Sequence, residues 1–206
     1  RLYGFLTRSA PLEEEVPAEV RGQSAWAAEQ GFFDAFPEGY RKEVSLVPRV
    51  VTGADTLPLD ANFPHTRKYF DATKIDADGD NNANNYNIIR YADILLIFAE
   101  AENEISGPTA AAYDAINQIR RRAQQQDIST PDPTIDLAGL SADEFRDAVI
   151  EERRWELAYE GHRRWDLVRT GKYLAAVPSA TARNVLFPIP QREIDLNSSL
   201  RQNDGY

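Results

Sequence analysis

The 206-residue chain carries 33 acidic residues against 23 lysines and arginines, a net charge of −10, and no cysteine. That balance opposes nucleic acid as a partner, because phosphate binding needs a positive footprint, and the lack of thiols excludes disulfides and thiolate metal sites. No run of about 18 apolar residues reads as a membrane-spanning helix, and the length suits one domain with a core of its own.

Residues 1–60 are punctuated by Pro11, Pro17, Gly22, Gly31, Pro37, Gly39, Pro48, Gly53 and Pro58, so little long-range periodicity survives there. A short helix is predicted around Ser24 to Gln30 and an extended stretch at Val44 to Val51. Such a piece cannot bury itself and must wrap against something else. Trp26, Phe32, Phe33, Phe36 and Tyr40 lie within it. Carbohydrate sites use flat aromatic faces to stack on sugar rings. Trp26, set among Gln23, Ser24 and Gln30, has the polar neighbourhood for that role. The competing reading makes these aromatics core anchors.

Asp76, Asp78 and Asp80, in the run Asp76-Ala77-Asp78-Gly79-Asp80-Asn81-Asn82, resemble the first half of a calcium loop, with carboxylates at alternate positions converging on a hard cation. Position twelve of that loop is Asn87 in place of a bidentate glutamate. A solvated turn rich in Asp and Asn explains the run as well.

From Tyr86 to Gly107 the apolar residues Ile88, Ile89, Tyr91, Ile94, Leu95, Leu96, Ile97 and Phe98 predict a helix apolar nearly all round, and therefore buried on several sides. Gly107-Pro108-Thr109 breaks it. Ala112, Ile116, Ile119 and Ala123 then form the stripe of an antiparallel partner helix. Small residues such as Ala99 and Ala112 let the two backbones approach. The pair resembles one tetratricopeptide unit. Gln124 to Gly139 reads as a linker loop.

Ser141 followed by Glu144 has the spacing of a capping box, in which each side chain satisfies a free backbone N–H at a helix start. Phe145, Ala148, Val149, Glu152, Trp155 and Tyr159 recur at three- and four-residue steps. Gly161 is predicted to end this helix, and His162 to Thr170 to form a second one closed by Gly171. Eight acidic and seven basic residues between Ser141 and Tyr173 point to internal ion pairs, of Glu156 or Glu160 with Arg163, Arg164 or Arg169. Thr181 to Tyr206 reads as a tail without helix, extended around Leu186-Phe187-Pro188-Ile189-Pro190.

The run from Glu152 to Gly171, ERRWELAYEGHRRWDLVRTG, resembles the signature of the SusD/RagB family. Two further stretches match that family in the same order. Upstream, Ile89-Arg90-Tyr91-Ala92-Asp93-Ile94-Leu95-Leu96 leads through Ala99-Glu100-Ala101 and Asn103 to Ile119-Arg120-Arg121-Arg122-Ala123. Downstream, Leu186-Phe187-Pro188-Ile189-Pro190 leads to Glu193-Ile194-Asp195 and Gln202-Asn203-Asp204-Gly205-Tyr206. Phe32-Phe33-Asp34-Ala35-Phe36-Pro37 resembles a family stretch too, which favours a structural role for Phe33 and Phe36.

The resemblance implies a mainly α fold of tetratricopeptide-like helix pairs with long irregular loops and an extended C-terminal tail. Residues 1–206 would form a single C-terminal region: a loop-rich segment (1–85), a helical scaffold (86–173) and the tail (174–206). Family members carry a further N-terminal half and a lipid-bearing N-terminal cysteine that display them on the outer membrane, so the chain is expected to be the C-terminal portion of such a protein. The implied function is non-enzymatic capture of oligosaccharide, or sometimes peptide, and its delivery to a SusC-like TonB-dependent transporter, as in Bacteroidetes-type polysaccharide utilisation. No cofactor is required on this reading. The alternative is a soluble tetratricopeptide-like adaptor that binds protein segments.

For ligand contact the expected residues are Trp26, Tyr86, Asn84 and Asn85. The amides beside Tyr86 can both donate to and accept from sugar hydroxyls. Glu151, Glu152, Glu156 and Glu160 raise the question of glycoside hydrolysis, which needs two carboxyls facing each other across a cleft. Their i, i+4 spacing next to arginines points instead to salt-bridge scaffolding. His65 and His162 match no zinc-binding pattern.

Overall fold

The computed structural model describes residues 28–47, 49–52, 55–58, 65, 66, 68 and 85–206, and the fold is mainly helical. The chain divides into two compact units, Arg1–Tyr159 and Glu160–Tyr206. The first holds α1 (Gln30–Ala35), α2 (Tyr40–Ser45), β1 (Leu46–Val47), β2 (Arg49–Thr52), β3 (Asp55–Pro58), β4 (His65–Thr66), α3 (Tyr91–Ser106), α4 (Ala110–Ala123) and α5 (Ala142–Glu156). The strands form two small antiparallel pairs, β1 with β4 and β2 with β3. No helix among the described residues is long and apolar enough to cross a membrane.

Three helices build the core of the first unit. Leu96, Ala99, Ala112, Ile116, Ile119, Phe145 and Val149 are buried together, each large aliphatic or aromatic side chain contributing about 1.5–3 kcal/mol. Ala99 and Ala112 are fully buried, so the close approach expected of α3 and α4 is realised. Gly107 (φ +80°) makes the reversal, and Thr109 caps α4 by accepting from the Ala112 N–H at 3.3 Å. Ser141 and Glu144 form the predicted capping box at the start of α5. Asn103 donates to the Ala142 carbonyl at one end of α3 and Asp93 accepts from Arg153 at the other, so α5 runs antiparallel to α3. Tyr113 meets Phe145 edge to face at 4.9 Å and Arg120 reaches Glu152, which sets α4 parallel to α5.

That parallel arrangement requires the long return loop between Ala123 and Ser141, and the loop is folded about one buried side chain. Arg121 donates to Asp136 (2.8 Å) and to the Ile128 carbonyl (2.7 Å), while Asp127 and Asp132 cap their own turns through Ser129 and Thr134. Asn117 fixes Leu137 through both backbone groups.

The irregular N-terminal segment wraps against α5 itself. Ala28, Phe36 and Leu46 are buried with Trp155 and Ala158; Phe36 lies 5.2 Å from the Trp155 ring and Phe32 5.5 Å from it. The anchor reading therefore holds for Phe32 and Phe36. Two short helices stand where breakers suggested none, because Pro37 and Gly39 fall between them. Gly39 has φ +127°, a backbone conformation that side-chain-bearing residues rarely adopt, so the turn favours glycine.

Of the helix predicted around Ser24 to Gln30, residues 24–27 lie outside the described residues, and α1 begins at Gln30. Three expectations are corrected. α3 is not apolar-buried all round: Ala92, Leu96, Ala99 and Asn103 are buried, but Tyr91, Ile94, Phe98 and Ile105 form an exposed stripe. α5 ends at Glu156, before Gly161, because Tyr159 already takes a left-handed backbone (φ +64°). Its ring is held edge to face by Phe32, and burial pushes its phenol pKa up to about 12. The tail contains a helix, α8 (Gln191–Leu196), and a 3-10 turn at Ala182–Val185.

In the second unit α6 (Arg163–Arg169) and α7 (Tyr173–Ala176) are joined through Arg164. Arg164 donates to the Tyr173 hydroxyl and the Asn184 carbonyl, both at 2.7 Å, and its guanidinium lies 4.2 Å from the Phe187 ring centre. Gln202 bonds both backbone groups of Ile189. Arg169 pairs with the buried Asp166 at 2.8 Å.

Candidate functional site

The C-terminal end of α5 is where the first unit concentrates charge. Glu152 and Glu156, one turn apart, are both buried with side chains 3% exposed. Glu152 accepts from Arg41 at 2.6 Å and Arg120 at 3.2 Å. Glu156 accepts from Arg41 at 3.2 Å, Arg90 at 2.9 Å and Arg122. The backbone carbonyl of Glu156 also accepts from Arg90 at 3.0 Å and from Lys68. Cations at a helix C-terminus are favoured by the helix dipole. Burial opposes charge on Glu156, but Arg122, Arg90, Lys68 and Arg41 outweigh it and hold its carboxyl below the ordinary range. The expected pairing of Glu156 with Arg163, Arg164 or Arg169 is replaced by these long-range partners.

A cavity of about 260 Å³ opens over this cluster. Its charged floor is Arg41, Lys68, Arg90, Arg122 and Glu156, and its walls are Tyr40, Val44, Ser45 and Ala123. Five separate segments supply the floor: α2, the stretch after β4, the residue capping α3, and the last turns of α4 and α5. Helix geometry explains the convergence, because α4 and α5 run parallel and present Arg122 and Glu156 at the same end. Tyr40 is exposed over 43% of its surface and Arg122 over 53% of its side chain, so both face the opening.

Of the ligand residues expected from sequence, Asn85 and Tyr86 lie exposed on the segment leading into α3. Trp26, Asn84 and the calcium-loop residues Asp76, Asp78 and Asp80 lie outside the described residues. No motif in the sequence points to this cavity. Its arginines were visible only as parts of separate motifs, Arg90 before the buried helix and Arg122 within Arg120-Arg121-Arg122, with nothing to join them to Arg41.

The family model of the SusD family matches residues 37–182. A SusD-like protein, P25, of Formosa agariphila is 34% identical over 196 residues, covering 89% of this chain and 35% of that protein. Among solved structures, a SusD homolog from Bacteroides thetaiotaomicron superposes with a TM-score of 0.70 at 28% identity, covering 93% of this chain and 46% of that one. A laminarin-binding SusD-like protein gives a TM-score of 0.68 at 28% identity, over 94% of this chain and 41% of its own. The chain thus spans between about a third and a half of the length of these relatives. With the match running from α2 through α7 and the tetratricopeptide-like helices in place, the chain belongs to the SusD family.

Proposed function

We propose that this chain is part of a non-enzymatic glycan-binding protein that delivers oligosaccharide to a SusC-like TonB-dependent transporter at the outer membrane. The observation that carries the reading is the family match across the helical scaffold, together with the fold shared with a laminarin-binding protein. Glu152 and Glu156 support a binding role over a hydrolytic one. Both carboxylates are buried and committed to guanidinium partners, whereas hydrolysis needs two that face a substrate across a cleft. Asn85 and Tyr86 supply exposed amide and aromatic surface at the entry to a rigid helix, the setting in which a loop presents ligand contacts. Trp26 and Asn84 remain proposed members of the same site, and Asp76, Asp78 and Asp80 a proposed calcium loop.

Calorimetry of the protein in its longest reading frame against a panel of neutral and acidic oligosaccharides tests the binding. Trp26→Ala and Tyr86→Ala are expected to weaken it without changing the melting temperature. Affinity purification from outer membranes is expected to bring down the transporter. Absence of binding to every glycan, with no transporter recovered, would sink the assignment.

A further inference from the structure

We propose that the outward stripe of α3 is a helix-packing seam, and that its occupant is an amphipathic helix of the longer polypeptide to which this chain belongs. Tyr91, Ile94, Phe98, Ala101 and Ile105 are all exposed, Tyr91 over 70% of its surface and Ile105 over 81%. They follow one another at steps of three, four, three and four residues. That is the spacing at which one helix meets another along a continuous line. At about 100° per residue the stripe falls on the side of α3 opposite Leu96 and Ala99, which are buried against α4 and α5. α3 therefore has two apolar faces, and only one of them is buried. A contiguous apolar stripe on a protein surface marks a contact site.

The other two helices of the core do not share this feature. α4 turns Asp114 and Arg122 outward, and α5 turns Asp143, Glu144 and Asp147 outward. Stacked helical repeats end in polar outer faces because the terminal repeat meets water. An apolar outer face thus marks an interior member of a stack. The acids flanking the seam are directed elsewhere, Glu102 accepting from Thr109 at 3.1 Å and Glu104 pairing with Arg146. The seam itself carries no charged side chain. It rises over about 21 Å, which suits a helix of about four turns. Its spacing sets a shallow crossing angle of about 20°. The two backbones would come closest at Ala101, where no side chain beyond Cβ holds them apart, so the partner can present a bulky residue there. The chain spans between about a third and a half of the length of its relatives, which leaves ample polypeptide to supply such a helix and favours it over a second copy. That the helix is covalently continuous with this chain rests on the reading above of the chain as part of a longer protein, whereas the need for an apolar helical partner comes from the stripe alone.

Ala101→Cys places a thiol in the seam of a chain that has no cysteine. Its alkylation by iodoacetamide, read by the mass of the peptide carrying residue 101, is compared in the longest reading frame, in the same protein in urea, and in the 206-residue chain. The expected result is alkylation at least about tenfold slower in the native longer protein than in urea, with the 206-residue chain reacting at the unprotected rate. A benzophenone attached at the same thiol is expected to cross-link to a segment outside residues 1–206 whose apolar residues recur at three and four. Ile105→Gln is expected to lower the melting temperature of the longer protein and to leave that of the 206-residue chain unchanged. Alkylation of the native longer protein as fast as in urea would overturn the seam, as would equal protection in the 206-residue chain. Protection that disappears on dilution, with dimers in sedimentation, would assign the stripe to a second copy. Cross-links confined to residues 1–206 would assign it to this chain. Either result overturns the helix of the longer polypeptide. Glycan binding is read separately by calorimetry, so failure of the seam leaves the uptake function standing, and failure of glycan binding leaves the seam.

Discussion

Arg153 donates to Asp93 at 2.7 Å between α5 and α3, with side chains only 5% and 6% exposed. The pair sits at the end of the helix contact whose apolar centre is Leu96, Ala99 and Val149. Removing Asp93 takes a buried carboxylate partner away from Arg153. Asp93→Ala is therefore expected to cost about 3–5 kcal/mol, read by urea denaturation. A loss under about 1 kcal/mol, the size of an exposed pair, would show that water reaches the site.

Glu156→Gln leaves the cations around it with a neutral partner and is expected to destabilise the first unit by a similar amount, about 3–5 kcal/mol near neutral pH. The effect should depend on pH in one direction. The carboxyl of Glu156 is held below its ordinary value of 4.5 in the folded chain, so its contribution is present above that value and is lost as pH falls through the lower folded value. Denaturation series at neutral and acid pH should show the gap between the native chain and the variant closing on the acid side. A gap that widens in acid would contradict the assignment.

Phe36→Ala tests whether the N-terminal segment is held by α5. Phe36 is fully buried against Trp155, and truncating a phenylalanine in such a site costs about 3–5 kcal/mol. Hydrogen exchange should then show residues 30–47 losing protection while α4 keeps its own. Unchanged protection of residues 30–47 would mean that other contacts hold the segment.

Ser141→Ala removes the side chain that accepts from the Glu144 N–H and donates its hydroxyl to the Glu144 carboxylate. A loss of about 0.5–2 kcal/mol is expected, measured as a fall in melting temperature. Glu144→Gln should cost less, because an amide oxygen can still accept from the Ser141 N–H.

What the sequence determined by itself was a set of features that local chemistry writes. The Ser141–Glu144 capping box, the Gly107 reversal, the Ala99 and Ala112 contact and the stripes of α4 and α5 each depend on residues within a few positions of one another, and each appears as expected. The family motifs are of the same kind, being runs of consecutive residues. Tertiary structure alone decided which partners Glu156 takes. Glu156 lies 7 to 13 residues from Arg163, Arg164 and Arg169, yet it pairs with Arg41, Arg90 and Arg122, which lie 115, 66 and 34 residues away. The reason is directional. α5 stops at Glu156, and the parallel run of α4 beside α5 carries Arg122 to the same end. Periodicity gives the face of a helix but not its neighbours, so the exposed stripe of α3 and the basic cavity over Glu156 emerge only once the helices are packed.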